Sequence, residues 1–417
     1  MHDVNMKRAK TYDEIEPLVK LCRLGKVFEI QEWVSAGNPV NPPKDLDRRV
    51  KKRFPLYLAI ESGFHSLLKV LLEGGISLRE PGYAPLDHAL WKRRLDLVEL
   101  LVGHGADIHS VSMRVVFQFW DPGIVDFFIA NGADVERDNP LAYALCSKIR
   151  PALGLFKRYE DRFPSFQEQA NIALRHHCTE GNLKWVSLML WAGADPYAKG
   201  SDSPDRKSHP EEDASALELA AIYDHFDIFK LRQVRLDPKK PGALNLLRNA
   251  CYSEKPDLLK KLLESGFNPH LMENGGSWLI QFVLSRLAWS YRSLYSLRSH
   301  TTETNVDDWG SRDKIKMIHL LARYGAKWKP RDKREINDAR RSFLKMKPDY
   351  TVEFIWIMSG YQACTRETIE ELMRPKPIRV LVSNHGNRVR ELIEILQFSG
   401  PEASLPNRMN ANGVCAE

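Results

Sequence analysis

The chain has 417 residues, of which 43% are hydrophobic and 28% charged, a balance that excludes a disordered chain and predicts a large packed core. The 61 Lys and Arg residues against 54 Asp and Glu give a formal net charge of +7, which permits an acidic partner without requiring one. The six cysteines are tens of residues apart, as is typical of reduced thiols rather than of a disulfide framework. Because the sequence shows neither an apolar N-terminal segment nor a membrane-length apolar run, we expect a cytoplasmic location and no membrane partner.

A short motif with a proline opens successive segments of the chain. It begins at Pro17, Pro55, Pro85 and Pro140, each followed by leucine, and a version without proline begins at Ala216. Proline suits the first turn of a helix, because its missing N–H is not needed there. Four residues after this proline position most copies carry an alanine, whose small side chain lets two helices pack closely: Ala59, Ala89, Ala144 and Ala220.

Glycines follow the motif at two further fixed offsets. At the plus-eight position, Gly25 and Gly63 are expected to end a first helix in left-handed backbone. The apolar run 67–72 has helical spacing and predicts a second helix that is buried against both neighbouring repeats. Glycines at the plus-twenty position are expected to close the second helix, at Gly37, Gly75, Gly105, Gly132, Gly193, Gly266, Gly325 and Gly360.

These residues together resemble the ankyrin repeat. The motif x-Pro-Leu-x-x-Ala, a helix-ending glycine, a Leu-rich helix and Gly-Ala-Asp, as at 105–107, follow one another in that order over residues 12–330. The resemblance implies an all-α solenoid of about ten helix-turn-helix repeats with short β-turn fingers. The threonine and histidine that flank the proline in this family are replaced, for example by Phe54 and Tyr57, so part of the usual capping hydrogen bonds is expected to be lost.

The repeats predict a simple domain order with two interruptions. The polar stretches 197–213 and 291–311 read as insertions, which in repeat proteins form surface loops and often meet a partner; tolerated loop drift is the alternative. Helices are expected at 365–373 and 389–396. The expected order is a capping repeat at 1–40, ankyrin repeats at 41–330, C-terminal helical repeats or a cap at 331–400, and a polar tail at 401–417.

Motifs for catalysis, cofactors and metals are missing from the sequence. It contains no GxxxxGK[ST] loop, no HExxH and no spaced Cys/His quartet. The run His176-His177-Cys178 offers ligand types, but neighbours on a helix point about 100° apart and do not converge on one ion without help. We therefore expect no enzymatic activity, no cofactor and no metal, with an enzyme that has an unfamiliar site as a remote alternative.

The first candidate binding surface is aromatic. The resemblance implies that partners dock on the concave side, which the fingers and the exposed end of each first helix form. In this sequence those ends lie six and seven residues after the proline position. They carry Trp91, Lys92, Phe119, Tyr223 and Tyr252. Exposed aromatic residues are typical interface anchors, so these positions predict a partner site; inward packing, chiefly of Phe119, is the alternative.

The second candidate surface is basic. The first finger carries Arg48, Arg49, Lys51, Lys52 and Arg53. Residues 280–347 hold 16 Lys and Arg against 7 Asp and Glu, an excess that can contact phosphates without reading sequence, or simply solvate the surface. The leading hypothesis is a protein–protein interaction scaffold or an inhibitory subunit, as a monomer or in a hetero-complex. The alternative is a nucleic-acid-associated module that uses 280–347.

Overall fold

A computed structural model describes the chain in several stretches, which together include most of the predicted repeats. The described residues are 8–44, 54–79, 83–206, 214–240, 242–270, 279–286, 311–343 and 348–374. Within them the regular structure is helical, apart from the isolated β-bridges Arg8–Asn41 and Gly200–Ala214. In these stretches no helix combines the length and the apolarity that crossing a membrane requires.

The chain divides into two compact units, called unit 1 and unit 2 below. Unit 1 is Met1–Ala173 with Asp202–Lys207, and unit 2 is Leu174–Ser201 with Ser208–Glu417. The described part of unit 1 consists of helix pairs joined by tight turns. In chain order these are α1 Tyr12–Leu24 and α2 Val27–Ser35, α3 Pro55–Ser62 and α4 His65–Glu73, α5 Pro85–Trp91 and α6 Leu95–Gly103, α7 Met113–Phe119 and α8 Pro122–Ala130, and α9 Pro140–Cys146 and α10 Pro151–Tyr159.

Equivalent helices of neighbouring pairs stack on one another. First helices contact first helices, α1 with α3, α3 with α5, α5 with α7 and α7 with α9. Second helices do the same, α2 with α4, α4 with α6 and α6 with α8. These pairs therefore pack on their sequence neighbours, as the predicted repeat array requires.

Unit 2 begins within α11, Ser165–Thr179. Its other helices are α12 Leu183–Ala192, α13 Ala216–Ile222, α14 Ala243–Tyr252, α15 Pro256–Glu264, α16 over residues 279–286, α17 Ser311–Arg323, α18 Lys333–Phe343, α19 Pro348–Gly360 and α20 Arg366–Met373. After α13 the second helix is reduced to a 3₁₀ segment, Phe226–Lys230. The predicted helix at 365–373 corresponds to α20, whereas 389–396 lies outside the described residues.

The alanines of the motif lie where first helices meet. Ala59, Ala89, Ala144 and Ala220 are all 0% exposed, as the close approach of α3, α5 and their equivalents requires. The second helices supply larger apolar side chains, such as Leu67, Leu68 and Leu71 on α4, which are also fully buried. Small residues on one helix and branched residues on the next thus form one continuous core along each unit.

The plus-eight turn keeps its left-handed backbone in repeats that lack the glycine. Gly25 and Gly63 have φ of 67°, as predicted. The equivalent non-glycine residues adopt the same conformation, with φ of 52° at Arg93, 36° at Trp120, 65° at Lys148, 63° at Asp224 and 54° at Glu254. Because an L-residue in this conformation carries a strain of roughly 1–2 kcal/mol, the packing of the two helices outweighs that local strain in each repeat.

The plus-twenty glycines mark the end of a helix at all eight positions, and seven of them have left-handed backbone. Gly37, Gly75, Gly105, Gly132, Gly193, Gly266 and Gly325 have φ between 72° and 111°. Gly360 is instead the last residue of α19, and Gln362, with φ of 48°, occupies the turn. The N–H of Gln362 bonds the Ser359 carbonyl just as the N–H of Gly325 bonds that of Ala322. Gly360 thus ends its helix as expected, while a glutamine takes the left-handed position of the turn.

Candidate functional site

In unit 1 the structure pairs Trp91 with Phe119 at the ends of neighbouring first helices. Trp91, the last residue of α5, is 67% exposed, whereas Phe119 at the end of α7 is half-buried. Their ring centroids are 5.0 Å apart and the rings are tilted by 53°. An aromatic pair of this geometry contributes about 0.5–1.5 kcal/mol beyond the area it buries. Phe119 therefore supports the Trp91 ring, and one face of that ring stays open to solvent.

Lys92 belongs to a polar chain beside this pair. Its Nζ donates to Glu61 at 2.8 Å, and the other oxygen of Glu61 contacts His88 Nε2 at 2.8 Å. His88 Nδ1 in turn lies 2.9 Å from the hydroxyl of Tyr83. The bond from Lys92, followed by that from His88, holds the pKa of the Glu61 carboxyl below its usual value. Lys92 thus balances a carboxylate of its own chain and contributes little net charge to the surface.

In unit 2 Tyr252 lines a groove, and Tyr223 directly follows Ile222, another residue of its lining. Tyr223 is 51% exposed and Tyr252 is 57% exposed, each at the end of its first helix, and Ile222 beside Tyr223 is 51% exposed. The groove has a volume of about 360 Å³, and Ile222, Arg248, Asn249, Tyr252, Ser253 and Phe282 line it. The guanidinium carbon of Arg286 lies 4.2 Å from the centre of the Tyr252 ring, within cation–π range. This groove combines exposed apolar surface with the positive charges of Arg248 and Arg286.

Within unit 1, Asp205 of the first insertion contacts side chains of α7 and α9. The Asp205 carboxylate lies 3.0 Å from Arg114 Nη1 and accepts a hydrogen bond from the Tyr143 hydroxyl. Arg114 also stacks on Tyr143, with its guanidinium carbon 3.4 Å from the ring centre, and Asn139 Nδ2 donates to the Pro204 carbonyl at 3.2 Å. Sequence reasoning missed this cluster because Arg114 and Asp205 are 91 residues apart.

The basic candidates fall into two groups. Arg48, Arg49, Lys51, Lys52 and Arg53 lie outside the described residues, so their role stays a prediction. Within 280–347, several of the described cations hold the fold together. Lys314 is 1% exposed and its Nζ lies 2.7 Å from Glu254, Arg331 pairs with Glu335 at 2.7 Å, and Arg340 donates to the Leu372 carbonyl at 3.0 Å. Because these cations are buried or paired within the protein, the positive charge that residues 280–347 present to a partner is smaller than the sequence count suggests.

A cluster of metal-ligating side chains lies at the end of α11, at the histidines that the sequence singled out. The nitrogens of His176 and His177 and the oxygens of Glu180 offer ligand atoms within 4.8 Å of one another. Two adjacent histidines point apart, but a carboxylate one turn further along the helix reaches both. Sequence reasoning considered the histidine pair with Cys178, whose side chain is buried, and so overlooked Glu180.

Four of the thiols in the described residues are poor nucleophiles. Burial raises the pKa of Cys22, Cys178 and Cys251 to about 12. Burial, opposed by the nearby charge of Lys327, raises the pKa of Cys364 to about 12 as well. At neutral pH these four side chains are therefore neutral thiols, whereas a reactive cysteine needs a thiolate in an electropositive and partly exposed setting.

The match to a family model agrees with the geometry. Residues 18–112 match the family model for ankyrin repeats in three copies. The "Ankyrin repeat and KH domain-containing protein mask-1" of Caenorhabditis elegans is 26% identical over 231 residues, which cover 53% of this chain and 8% of that protein. The crystal structure of the ankyrin repeat domain of Bcl-3, described as a unique member of the IkappaB protein family, is 16% identical with a TM-score of 0.29 and covers 63% of this chain and 92% of that chain.

Residues 18–112 therefore contain ankyrin repeats, and the helical hairpins of the other described residues support the same repeat architecture. Ankyrin repeats are generally protein–protein interaction modules, and their fold is typically a binding module rather than an enzyme. The chain spans only 8% of the length of its curated relative, so what that whole protein does is a separate matter.

Proposed function

We propose that this protein is a non-enzymatic binding subunit that recognises another protein through the exposed ends of its first helices. The observation that carries the proposal is the recurrence of exposed aromatic side chains at the end of first helices. Trp91 and Tyr252 are the last residues of α5 and α14 and are 67% and 57% exposed, and Tyr223, which directly follows α13, is 51% exposed. Scattered exposed apolar residues are ordinary, but large aromatic rings at the same end of several first helices are typical of interface anchors.

The local chemistry supports this role in each unit separately. In unit 1, Phe119 holds the Trp91 ring from one side at 5.0 Å, so little side-chain entropy is lost when a partner covers the other side. In unit 2, Tyr252 and Ile222 line a groove of about 360 Å³, large enough for a protruding side chain of a partner. Anchors of this kind commonly contribute about 2 kcal/mol or more when they are truncated to alanine.

The finer role that we propose is that of a scaffold, or of an inhibitory subunit that occludes its partner, in a hetero-complex. We place it in the cytoplasm, where the five cysteine thiols of the described residues would stay reduced. Residues 41–330 would form the binding array, with 1–40 and 331–400 as its end repeats and 401–417 as a tail.

The test is affinity capture of the tagged full chain from its native cells, with Trp91→Ala and Tyr252→Ala as loss variants. Trp191→Ala is the matched control, because Trp191 is 62% exposed but lies on the second helix α12. A protein retained by the unmodified chain and the control, but reduced about tenfold or more by the two loss variants, is the expected result. Capture should survive high salt and nuclease. Recovery that depends on nucleic acid, with no effect of either loss variant, would refute the proposal and favour the basic region instead.

A further inference from the structure

We propose that His176, His177 and Glu180 form a transition-metal site at the end of α11, suited to Zn²⁺. The proposal is independent of the partner-binding role, since it rests on side chains that sit one turn apart on a single helix of unit 2. The Glu180 carboxylate lies between the two imidazoles, and the three ligand atoms, one from each residue, fall within 4.8 Å of one another.

The distances show how little rearrangement an ion requires. Glu180 Oε1 lies 3.5 Å from His176 Nε2, and Glu180 Oε2 lies 3.6 Å from His177 Nδ1. Zinc binds histidine nitrogen at 2.0–2.1 Å, so ligand atoms in a tetrahedral site are about 3.3 Å apart. Modest side-chain rotation therefore brings the three groups onto one ion, which replaces two long carboxylate–imidazole contacts by metal–ligand bonds.

The helix explains why these three residues converge. Glu180 follows His176 by four residues and His177 by three, the two spacings that bring side chains together on a helix surface. The N–H of Glu180 still donates to the His176 carbonyl at 3.0 Å, so the helical register extends to this residue. Gly181, with φ of 68°, then ends the helix. The carbonyl end of a helix carries partial negative charge, which favours a cation at this place.

The surroundings fix one ligand and leave the other two accessible. His177 is 0% exposed, and its ring lies 5.3 Å from that of Trp185 on α12, which orients the imidazole. The side chains of His176 and Glu180 are 32% and 41% exposed, so an ion can enter from solvent. Two imidazoles and one carboxylate are the ligand set of several zinc sites in which water or a further group completes the tetrahedron. Nitrogen ligands also disfavour Mg²⁺ and Ca²⁺.

The test uses the full chain, stripped of metal by a chelator. Titration with Co²⁺, followed by its visible d–d absorption, and calorimetric titration with Zn²⁺ report binding without reference to any activity. His176→Gln and Glu180→Gln are the variants, because both side chains are partly exposed and their loss should leave the fold intact, as circular dichroism would verify. His104→Gln and Glu160→Gln, both at exposed positions of unit 1, are the matched controls.

The expected result is binding of Zn²⁺ and Co²⁺, with affinity that falls by at least about tenfold in each variant and is unchanged in both controls. Mg²⁺ should give no heat of binding. The proposal is overturned if neither Zn²⁺ nor Co²⁺ binds, or if both metals bind equally well to the folded His176→Gln and Glu180→Gln variants, since any site would then lie elsewhere.

Discussion

Because Arg93 lies in a left-handed turn, we predict that glycine at this position gives a more stable protein than alanine, the opposite of the usual order within a helix. Arg93 has φ of 52° and an exposed side chain, and its N–H bonds the Leu90 carbonyl at 2.8 Å. An L-residue in this conformation carries a strain of roughly 1–2 kcal/mol, which glycine removes. Glycine also raises the entropy of the unfolded chain, which costs about 0.5–1 kcal/mol relative to alanine. Arg93→Gly should therefore be more stable than Arg93→Ala by about 0.5–1 kcal/mol.

The comparison of glycine with alanine isolates the backbone, because both variants remove the same side chain. Hydrogen exchange of peptides from α5 and α6 measures the local free energy directly, and protection should be about two- to fivefold higher for Arg93→Gly. Gln118, exposed and right-handed within α7, is the control site, where glycine should be less stable than alanine by about 0.5–1 kcal/mol. Equal or lower protection in Arg93→Gly than in Arg93→Ala would refute the argument that the turn is strained.

Three further predictions follow from packing and charge. Ala89→Leu should cost about 1–3 kcal/mol in urea denaturation, because Ala89 is fully buried where first helices meet; a neutral effect would contradict that close approach. Burial raises the pKa of Glu353 to about 7, above its unfolded value, so the native state holds an extra proton at intermediate pH. The free energy of unfolding should therefore fall as the pH rises from about 4.5 to 7, and the fall should be smaller by up to about 3 kcal/mol in Glu353→Gln. Parallel curves of unfolding free energy against pH for the two proteins would contradict this. Asp205→Ala should speed tryptic cleavage after Arg206, because Arg114 and Tyr143 hold Asp205; an unchanged cleavage rate would show that these contacts do not restrain the insertion.

The sequence predicted the repeats well because their requirements are local. An alanine between helices, a proline in a first turn and a glycine in a left-handed turn each follow from the backbone within a few residues. The helices α3 to α6 accordingly lie where the offsets from Pro55 and Pro85 place them. A left-handed residue cannot be recognised from the sequence when it is not a glycine, as with Gln362, two residues after Gly360.

The candidate sites were harder to predict because they depend on contacts between distant residues or on side-chain rotamers. Nothing near Arg114 in the chain indicates that Asp205 will lie 3.0 Å away. The charge excess of 280–347 was visible in the sequence, but the burial of Lys314 against Glu254 was not. The exposed ends of the first helices could be located by counting, since a helix that ends at a fixed offset presents the same position in each repeat.

The plus-eight turn also affects how this protein can diverge. Its conformation is imposed by the two helices that it joins, and the residues that occupy it in this one chain include Gly25, Arg93, Lys148 and Asp224. Where the side chain is exposed, as at Arg93, Lys148 and Asp224, the mutational cost of losing the glycine is limited to roughly 1–2 kcal/mol of backbone strain. A glycine at such a turn can therefore be replaced in one repeat at a time. The consensus glycines can in this way disappear from the sequence while the fold of the repeats is kept.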